Sequence, residues 1–196
     1  DDSGNATSCN FNVSLVDNTA PAITCSANII QSNDLGACNA AVTVPALVTS
    51  DNCGIASIVN DFNGTADASG TYPVGTTTVT WTVTDISGNV STCSFDVTVN
   101  DDELPVVACT IDITQGSDLG TCDGTVAIAP LVATDNCAIA SVSNDFNGTA
   151  DASGVYPPGT TTVTWSVTDI HGNVTACSFD VTILDTEAPS LTCAGD

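Results

Sequence analysis

The chain has no lysine, no arginine and no methionine, and it has a single histidine. Without cationic side chains it has nothing to exchange for the counterions of a phosphate backbone or an anionic membrane surface, so nucleic acid is excluded as a partner. The missing lysine also removes Schiff-base chemistry, lysine–asparagine isopeptide cross-links and the P-loop, each of which needs that amine. No apolar run approaches the roughly 20 residues that cross a bilayer as a helix, so no membrane insertion is expected. The opening residues DDSGNATSC lack both the basic and the apolar region of a signal peptide, and the expectation is a mature or excerpted, soluble chain.

What is present is acidic yet apolar. The 196 residues include 23 acidic ones, 21 of them Asp, for a formal charge of −23, while 42% of the chain is hydrophobic. A mean hydropathy of +0.26 is too high for a solvated acidic tail, so the chain is expected to fold. Abundant Thr, Val and Ile favour strands and turns over helices.

The ten cysteines stand at 9, 25, 38, 53, 93, 109, 122, 137, 177 and 193, and a shift of 84 carries each of the first six onto another cysteine. The chain is therefore a tandem repeat. Asp17–Asn100 aligns with Asp101–Leu184 without a gap, with 51 of 84 positions identical, including the run NDFNGTADASG. Residues 1–16 read as the C-terminal strand of a truncated repeat, 17–100 and 101–184 as whole repeats, and 185–196 as the start of a further one. The strand expected through Cys9, Phe11, Val13 and Leu15 has an apolar face that a neighbouring repeat or a second chain must cover.

Within each repeat the hydrophobic period is two. GTTTVTWTVTD sets Val79, Trp81 and Val83 on one face and Thr on the other, and VSTCSFDVTV does the same with Cys93, Phe95, Val97 and Val99. About seven such strands, broken by SNDLG, SDNCG, NDFNGTADASG, YPVG and DISGN, have the cadence of an immunoglobulin-like β-sandwich. The expected fold is all-β: tandem immunoglobulin-like sandwiches with intradomain disulfides. The aromatics Phe11, Phe62, Phe95, Phe146, Phe179, Trp81, Trp165, Tyr72 and Tyr156 recur at equivalent places and are read as core.

With no CxxC pair and one histidine, the cysteines suit disulfides rather than zinc, and so an oxidising, exported location. Four cysteines per repeat allow three pairings, and strand geometry only partly decides among them. Cys25 with Cys93 is expected because the first strand and the last inward-facing strand are neighbours in such sandwiches, which leaves Cys38 with Cys53. By periodicity Cys109 then pairs with Cys177 and Cys122 with Cys137. Cys9 and Cys193 are left to partners in preceding and following repeats or in another subunit.

The motifs D-x-x-x-P-x-I/V-x-C at Asp17–Cys25 and Asp101–Cys109, T/S-D-N-C at Ser50–Cys53 and Thr134–Cys137, YPVGTTTVTWTVTD at Tyr72–Asp85 with its copy at Tyr156–Asp169, and the closing GN-V-x-x-C-x-F-x-V-x-V at Gly88–Val99 together resemble the hyalin repeat (HYR) family. The resemblance covers essentially the whole chain. It implies tandem immunoglobulin-like modules that are extracellular or on the cell surface, associated with adhesion and matrix, and its four-cysteine pattern accords with the pairing above. Pro commonly follows the family's first cysteine, where this chain has Ser26 and Thr110.

The acids recur at three places per repeat: the linker (Asp17; Asp101, Asp102 and Glu103; Asp185 and Glu187), the DN pair (Asp51 and Asn52; Asp135 and Asn136) and the D-x-x-G-N turn (Asp85 and Asn89; Asp169 and Asn173). In an immunoglobulin-like sandwich these three places emerge at one end. Converging carboxylates without a cation repel one another, and an all-oxygen set suits Ca²⁺ with its six to eight ligands. Asp34 and Asp118, in turns expected at the opposite end, are candidates to complete such a site from the preceding repeat. Against calcium stands the plainer role of Asp and Asn as turn formers.

His171 occupies the place of Ser87 and reads as a loop variation, since an isolated turn histidine lacks the orienting acid and oxyanion hole of a triad. No cleft signature accompanies the repeated carboxylates, and no enzyme is expected. Sequons at Asn5, Asn12, Asn63, Asn89, Asn147 and Asn173 are weak. The expected function is that of an extracellular structural protein whose repeats associate with neighbouring repeats of the same array, or by self-association, into a filament, stalk or adhesive matrix stiffened by calcium at its junctions. The alternative is a spacer or binding module in a larger surface adhesin or secreted enzyme.

Overall fold

The computed structural model describes residues 1–192, and every regular element among them is a strand. The first repeat contains β1 (Ala22–Thr24), β2 (Ile29–Ser32), β3 (Asn39–Val42), β4 (Val48–Ser50), β5 (Ile55–Asn60), β6 (Gly70–Pro73), β7 (Gly75–Asp85) and β8 (Val90–Asn100). The second contains β9 (Val106–Ala108), β10 (Ile113–Gly116), β11 (Gly124–Val126), β12 (Val132–Thr134), β13 (Ile139–Asn144), β14 (Gly154–Tyr156), β15 (Gly159–Asp169) and β16 (Val174–Leu184). Each repeat thus has eight strands where about seven were expected. Pro45 lies between β3 and β4 and Pro130 between β11 and β12, and a residue with no N–H interrupts a ladder.

Each repeat is an immunoglobulin-like sandwich. One layer is the four-stranded sheet β2-β8-β7-β5, or β10-β16-β15-β13 in the second repeat, and the other is the pairs β1-β4 and β3-β6, or β9-β12 and β11-β14. β10 runs parallel to β16, while β15 is antiparallel to both of its neighbours, β13 and β16. In the second repeat Val126 and Tyr156 from one layer pack with Val163, Trp165, Phe179 and Val181 from the other in a single core. Burial of each such side chain contributes about 1.5–3 kcal/mol.

The repeated loop NDFNGTADASG is held from within. Asn60 accepts hydrogen bonds from the Phe62 and Asn63 backbone N–H groups and donates to the Thr65 carbonyl. The Asn63 side chain accepts from Thr65 and donates to the Asp67 carbonyl, so this sequon side chain is already engaged. Phe62 stacks on Tyr72 with centroids 4.0 Å apart, and the buried Tyr72 hydroxyl donates to the Ala68 carbonyl at 2.6 Å. Burial pushes the Tyr72 and Tyr156 phenols up, which keeps them protonated donors. A Cβ on Gly70 would lie 2.9 Å from Phe62 Cε1, and one on Gly154 2.9 Å from Phe146 Cε1, so the stacked ring demands glycine. The identical run in the second repeat is held by the same contacts, from Asn144 and Asn147 to the Phe146–Tyr156 stack.

The chain forms two compact units whose limits differ from those of the repeats. One comprises Asp1–Ile30 with Ala41–Thr98, and the other joins Gln31–Ala40 to the residues from Val99 onward. The decapeptide 31–40 therefore belongs to the second unit although it lies within the first repeat.

At the N-terminal flank the expected strand is absent. Residues 5–16 form no strand, and Phe11, Val13 and Leu15 are 84%, 75% and 96% exposed, so Phe11 is not a core residue. The equivalent strands β8 and β16 are each paired on both sides, and residues 5–16 have no such neighbours. Residues 185–192 are likewise without strand, and Cys193 lies outside the described residues.

Candidate functional site

The inward register of β7 carries the core down to its last residue. Val79, Trp81 and Val83 are fully buried and Asp85, two residues further on the same face, is 1% exposed. Period two therefore delivers a carboxylate to the end of the sandwich. β15 repeats this with Val163, Trp165, Val167 and the buried Asp169. A register shift between Ile55 and Ser57 on the neighbouring strand β5, and between Ile139 and Ser141 on β13, falls beside these aspartates. Such bulges bend the strand leaving the DNC turn.

In the first unit, carboxylate oxygens of Asp17, Asp51 and Asp85 lie within 4.8 Å of one another, and in the second those of Asp101, Asp135 and Asp169 do the same. The linker, the DN pair and the D-x-x-G-N turn thus converge in each unit. Asp51 Oδ2 accepts the Cys53 and Gly54 N–H groups at 2.8 and 2.9 Å, and Asp17 Oδ1 accepts the Thr19 N–H and the Asn52 amide at 3.0 and 3.2 Å. The other oxygens, Asp17 Oδ2 and Asp51 Oδ1, are buried with no hydrogen-bond partner. In the second unit Asp135 Oδ2 and Asn136 Oδ1 are buried without a partner at the corresponding turn. Four buried acceptors without partners, three on cluster carboxylates and one on the adjoining Asn136, fit a hard cation bound through oxygen alone.

The asparagines surround the carboxylates as donors. Asn89 gives its backbone N–H to Asp85 Oδ1 and its amide to Asp85 Oδ2, both at 2.7 Å, and reaches the Asp17 carbonyl at 3.1 Å. Asn173 holds Asp169 and the Asp101 carbonyl in the same way. The Thr19 N–H and the Asn52 amide keep the Asp17 carboxyl below its ordinary value. Burial alone would raise the Asp169 carboxyl, but the Asn173 amide and the Asn173, His171 and Gly172 backbone N–H groups outweigh it and hold it low.

His171 proves to be part of this site. Its Nδ1 lies 2.8 Å from Asp101 Oδ2, the counterpart of the unpartnered Asp17 Oδ2. The two clusters therefore differ at the linker aspartate, where Asp17 Oδ2 is bare and Asp101 Oδ2 carries an imidazole. The signal was available in the position two residues after Asp169 within the D-x-x-G-N turn, where Ser87 stands in the other repeat.

The remaining acidic candidates lie outside both clusters. Asp118 Oδ2 accepts the Thr125 N–H and hydroxyl at 2.9 and 2.6 Å, while Asp34 closes its turn through backbone bonds to Asn39 and Ala37. The Ser32 hydroxyl donates to Asp102. Glu103 Oε1 accepts the Gly36 N–H at 2.6 Å and the Asn33 amide at 2.8 Å, and Glu187 takes the Gly120 N–H at 2.7 Å. Asp185 accepts the Glu187 N–H. These linker acids hold the SNDLG and SDLG turns in place.

That has a covalent consequence. Cys25 is bonded to Cys93 and Cys109 to Cys177, but Cys38 is bonded to Cys137 and not to Cys53. The expected Cys38–Cys53 and Cys122–Cys137 pairs do not form, because Glu103 and the Asn136 amide, which donates to the Ala37 carbonyl at 3.2 Å, draw residues 33–38 onto the second unit's DNC turn. The Cys38 and Cys137 Cα atoms stand 4.7 Å apart. Among the described residues Cys9, Cys53 and Cys122 are exposed thiols.

A family model described as the HYR domain matches residues 16–99 and again 100–183. Among curated proteins, the chain is similar to Hyalin of Strongylocentrotus purpuratus, at 36% identity over 201 residues, 98% of this chain and 16% of that protein. It is also similar to Hyalin of Lytechinus variegatus, at 32% identity over 147 residues, 72% of this chain and 27% of that protein. The chain spans about a quarter or less of the length of these relatives. Among solved structures it is similar to Drosophila N-cadherin EC1-4, at 10% identity over 85% of this chain and 50% of that one, TM-score 0.39. Human protocadherin-24 EC1-2 matches at 15% identity over 87% of this chain and all of that one, also with TM-score 0.39.

Proposed function

Because the chain belongs to the HYR domain family and carries two tandem copies of the domain, we propose that it is part of an extracellular, non-enzymatic structural protein. In this reading its repeats associate with further repeats of the same kind into a filament, stalk or adhesive matrix, and calcium bound at the aspartate clusters stiffens it. Its kinship with proteins called Hyalin supports a place outside the cell, as does the use of six cysteines in disulfides.

The observation that carries the calcium reading is the set of buried oxygens without partners, Asp17 Oδ2 and Asp51 Oδ1 in one cluster and Asp135 Oδ2 and Asn136 Oδ1 in the other. Asp17, Asp51 and Asp85 would hold one ion, and Asp101, Asp135 and Asp169 the other. The ion supplies positive charge that offsets mutual repulsion among carboxylates in a chain with no lysine or arginine. It thereby ties linker, DN turn and D-x-x-G-N turn into one rigid end, since ligand binding to the folded state adds stability by mass action.

Calorimetric titration of the chelator-stripped chain with CaCl₂, paired with melting curves, tests this. Binding with a raised Tm is expected, and Asp51→Asn with Asp135→Asn should abolish both effects while leaving the β-sheet circular dichroism intact. No heat of binding and an unchanged Tm at millimolar calcium would refute it.

A further inference from the structure

The Cys38–Cys137 bond joins a turn cysteine of one repeat to the DNC cysteine of the following repeat, and a shift of 84 positions maps these two onto Cys122 and Cys53. Both of the latter are exposed thiols. We propose that Cys53 and Cys122 are the two halves of a repeating disulfide junction: Cys122 bonds the DNC cysteine of a following HYR module, Cys53 bonds the turn cysteine of a preceding one, and a second copy of this chain can supply either.

The surroundings of each thiol already match those of the completed bond. At the turn side, Gly36 N–H to Glu103 Oε1 at 2.6 Å is reproduced by Gly120 N–H to Glu187 Oε1 at 2.7 Å. Asn33 N–H to the Asn100 carbonyl at 2.8 Å is likewise reproduced by Ser117 N–H to the Leu184 carbonyl at 2.8 Å. At the DNC side, Asn136 Nδ2 to Asp101 Oδ1 at 3.2 Å is reproduced by Asn52 Nδ2 to Asp17 Oδ1 at 3.2 Å. Cys53 N–H is held by Asp51 as Cys137 N–H is held by Asp135. The extra contact in the completed bond is the Asn136 amide on the Ala37 carbonyl. Its counterpart is the Asn52 amide of one chain on the Thr121 carbonyl of the other.

Each thiol also borders open space. Cys122 lines a cleft of about 420 Å³ with Gly120, Asp185 and Glu187, and Cys53 lines one of about 510 Å³ with Asp17, Asn52 and Ser87. Because a turn cysteine meets a DNC cysteine, the contact is head-to-tail, which builds an open array unless its rotation closes a ring. The chemistry needs an external oxidant of the small-disulfide class, such as oxidised glutathione. The Cys122 thiolate attacks it and releases one glutathione thiolate; the Cys53 thiolate of the second copy then attacks the mixed disulfide at Cys122 sulfur and releases the other. Two protein thiols lose two protons and two electrons, and one small disulfide is reduced to two thiols.

The test uses the whole chain in a Cys9→Ser, Cys193→Ser background, oxidised in a glutathione buffer containing EDTA so that the outcome does not depend on calcium. Non-reducing electrophoresis should show a ladder of disulfide-linked oligomers. Adding Cys53→Ser or Cys122→Ser separately should stop it, while mixing the two variants should give a dimer and nothing longer, with roughly tenfold more dimer than either variant alone because the matched surfaces are preorganised. Cleavage before aspartate should yield the peptide DNCGIASIVN bonded to DLGTC. Equal dimerisation of each variant by itself, Cys53–Cys53 or Cys122–Cys122 peptides, an intrachain Cys53–Cys122 bond in the monomer, or no oligomer at all would each overturn the proposal.

Discussion

Replacing both Cys38 and Cys137 by serine tests whether residues 31–40 are held in the second unit by a covalent strap. The bond spans 99 positions, but Cys25–Cys93 already shortens the path around the loop. Passing through that bridge, the loop that Cys38–Cys137 closes is roughly 57 residues, for which the chain-entropy relation gives about 4 kcal/mol. Gly120 N–H holds Glu187 beside the free Cys122 thiol, so the matching Gly36–Glu103 contact is expected to survive the substitution and the loss to be about 2–4 kcal/mol. For a unit of this size that lowers Tm on the order of 10–20 °C. Calorimetry of the oxidised double variant, against a Cys53→Ser, Cys122→Ser control, measures it. Hydrogen exchange over residues 31–40 locates it, with faster exchange expected there and little change over β7. Equal Tm values in variant and control would refute the reasoning, as would a wild-type aspartate-cleavage digest in which the peptide beginning at Asp34 is bonded to that beginning at Asp51.

Other consequences follow from single contacts. Gly154→Ala places a Cβ 2.9 Å from a Phe146 ring stacked on Tyr156, and should cost about 1–3 kcal/mol in denaturant unfolding; a neutral effect would show that the stack yields freely. His171→Ser uncovers Asp101 Oδ2 and makes the second cluster like the first, so calcium titration should show the weaker of two sites tightening several-fold, and an unchanged isotherm would deny the imidazole any part. The Asp169 carboxyl, held below its ordinary value of 3.8, contributes stability that is present above that value and is lost as the pH falls through the lower folded value. Melting in EDTA from about pH 5 to pH 2 should show Tm falling through this window, with carbon-detected NMR placing the Asp169 titration below 3.8. Titration above 3.8 would contradict the hydrogen-bond account.

Period-two patterning and an exact 84-residue shift are properties of order along the chain, so the strands, the inward faces of β7 and β8 and the repeat itself could be read directly. The same register predicts that Asp85 and Asp169 fall at the end of the core, because a residue two beyond Val83 or Val167 must share its face. Pairing among the cysteines is a matter of distance in space, which spacing along the chain does not encode. Cys38 and Cys53 are close in sequence, yet Glu103, 65 positions past Cys38, anchors the turn that sends Cys38 to Cys137. Nor does composition tell which end of an asparagine amide faces a carboxylate. Asn89 and Asn173 present nitrogen because their partners are acids fixed by the strand ends, and His171 joins the cluster because one turn residue in one repeat can reach Asp101. Local periodicity follows from the geometry of the extended backbone, whereas these long-range choices depend on several loops being assembled at once.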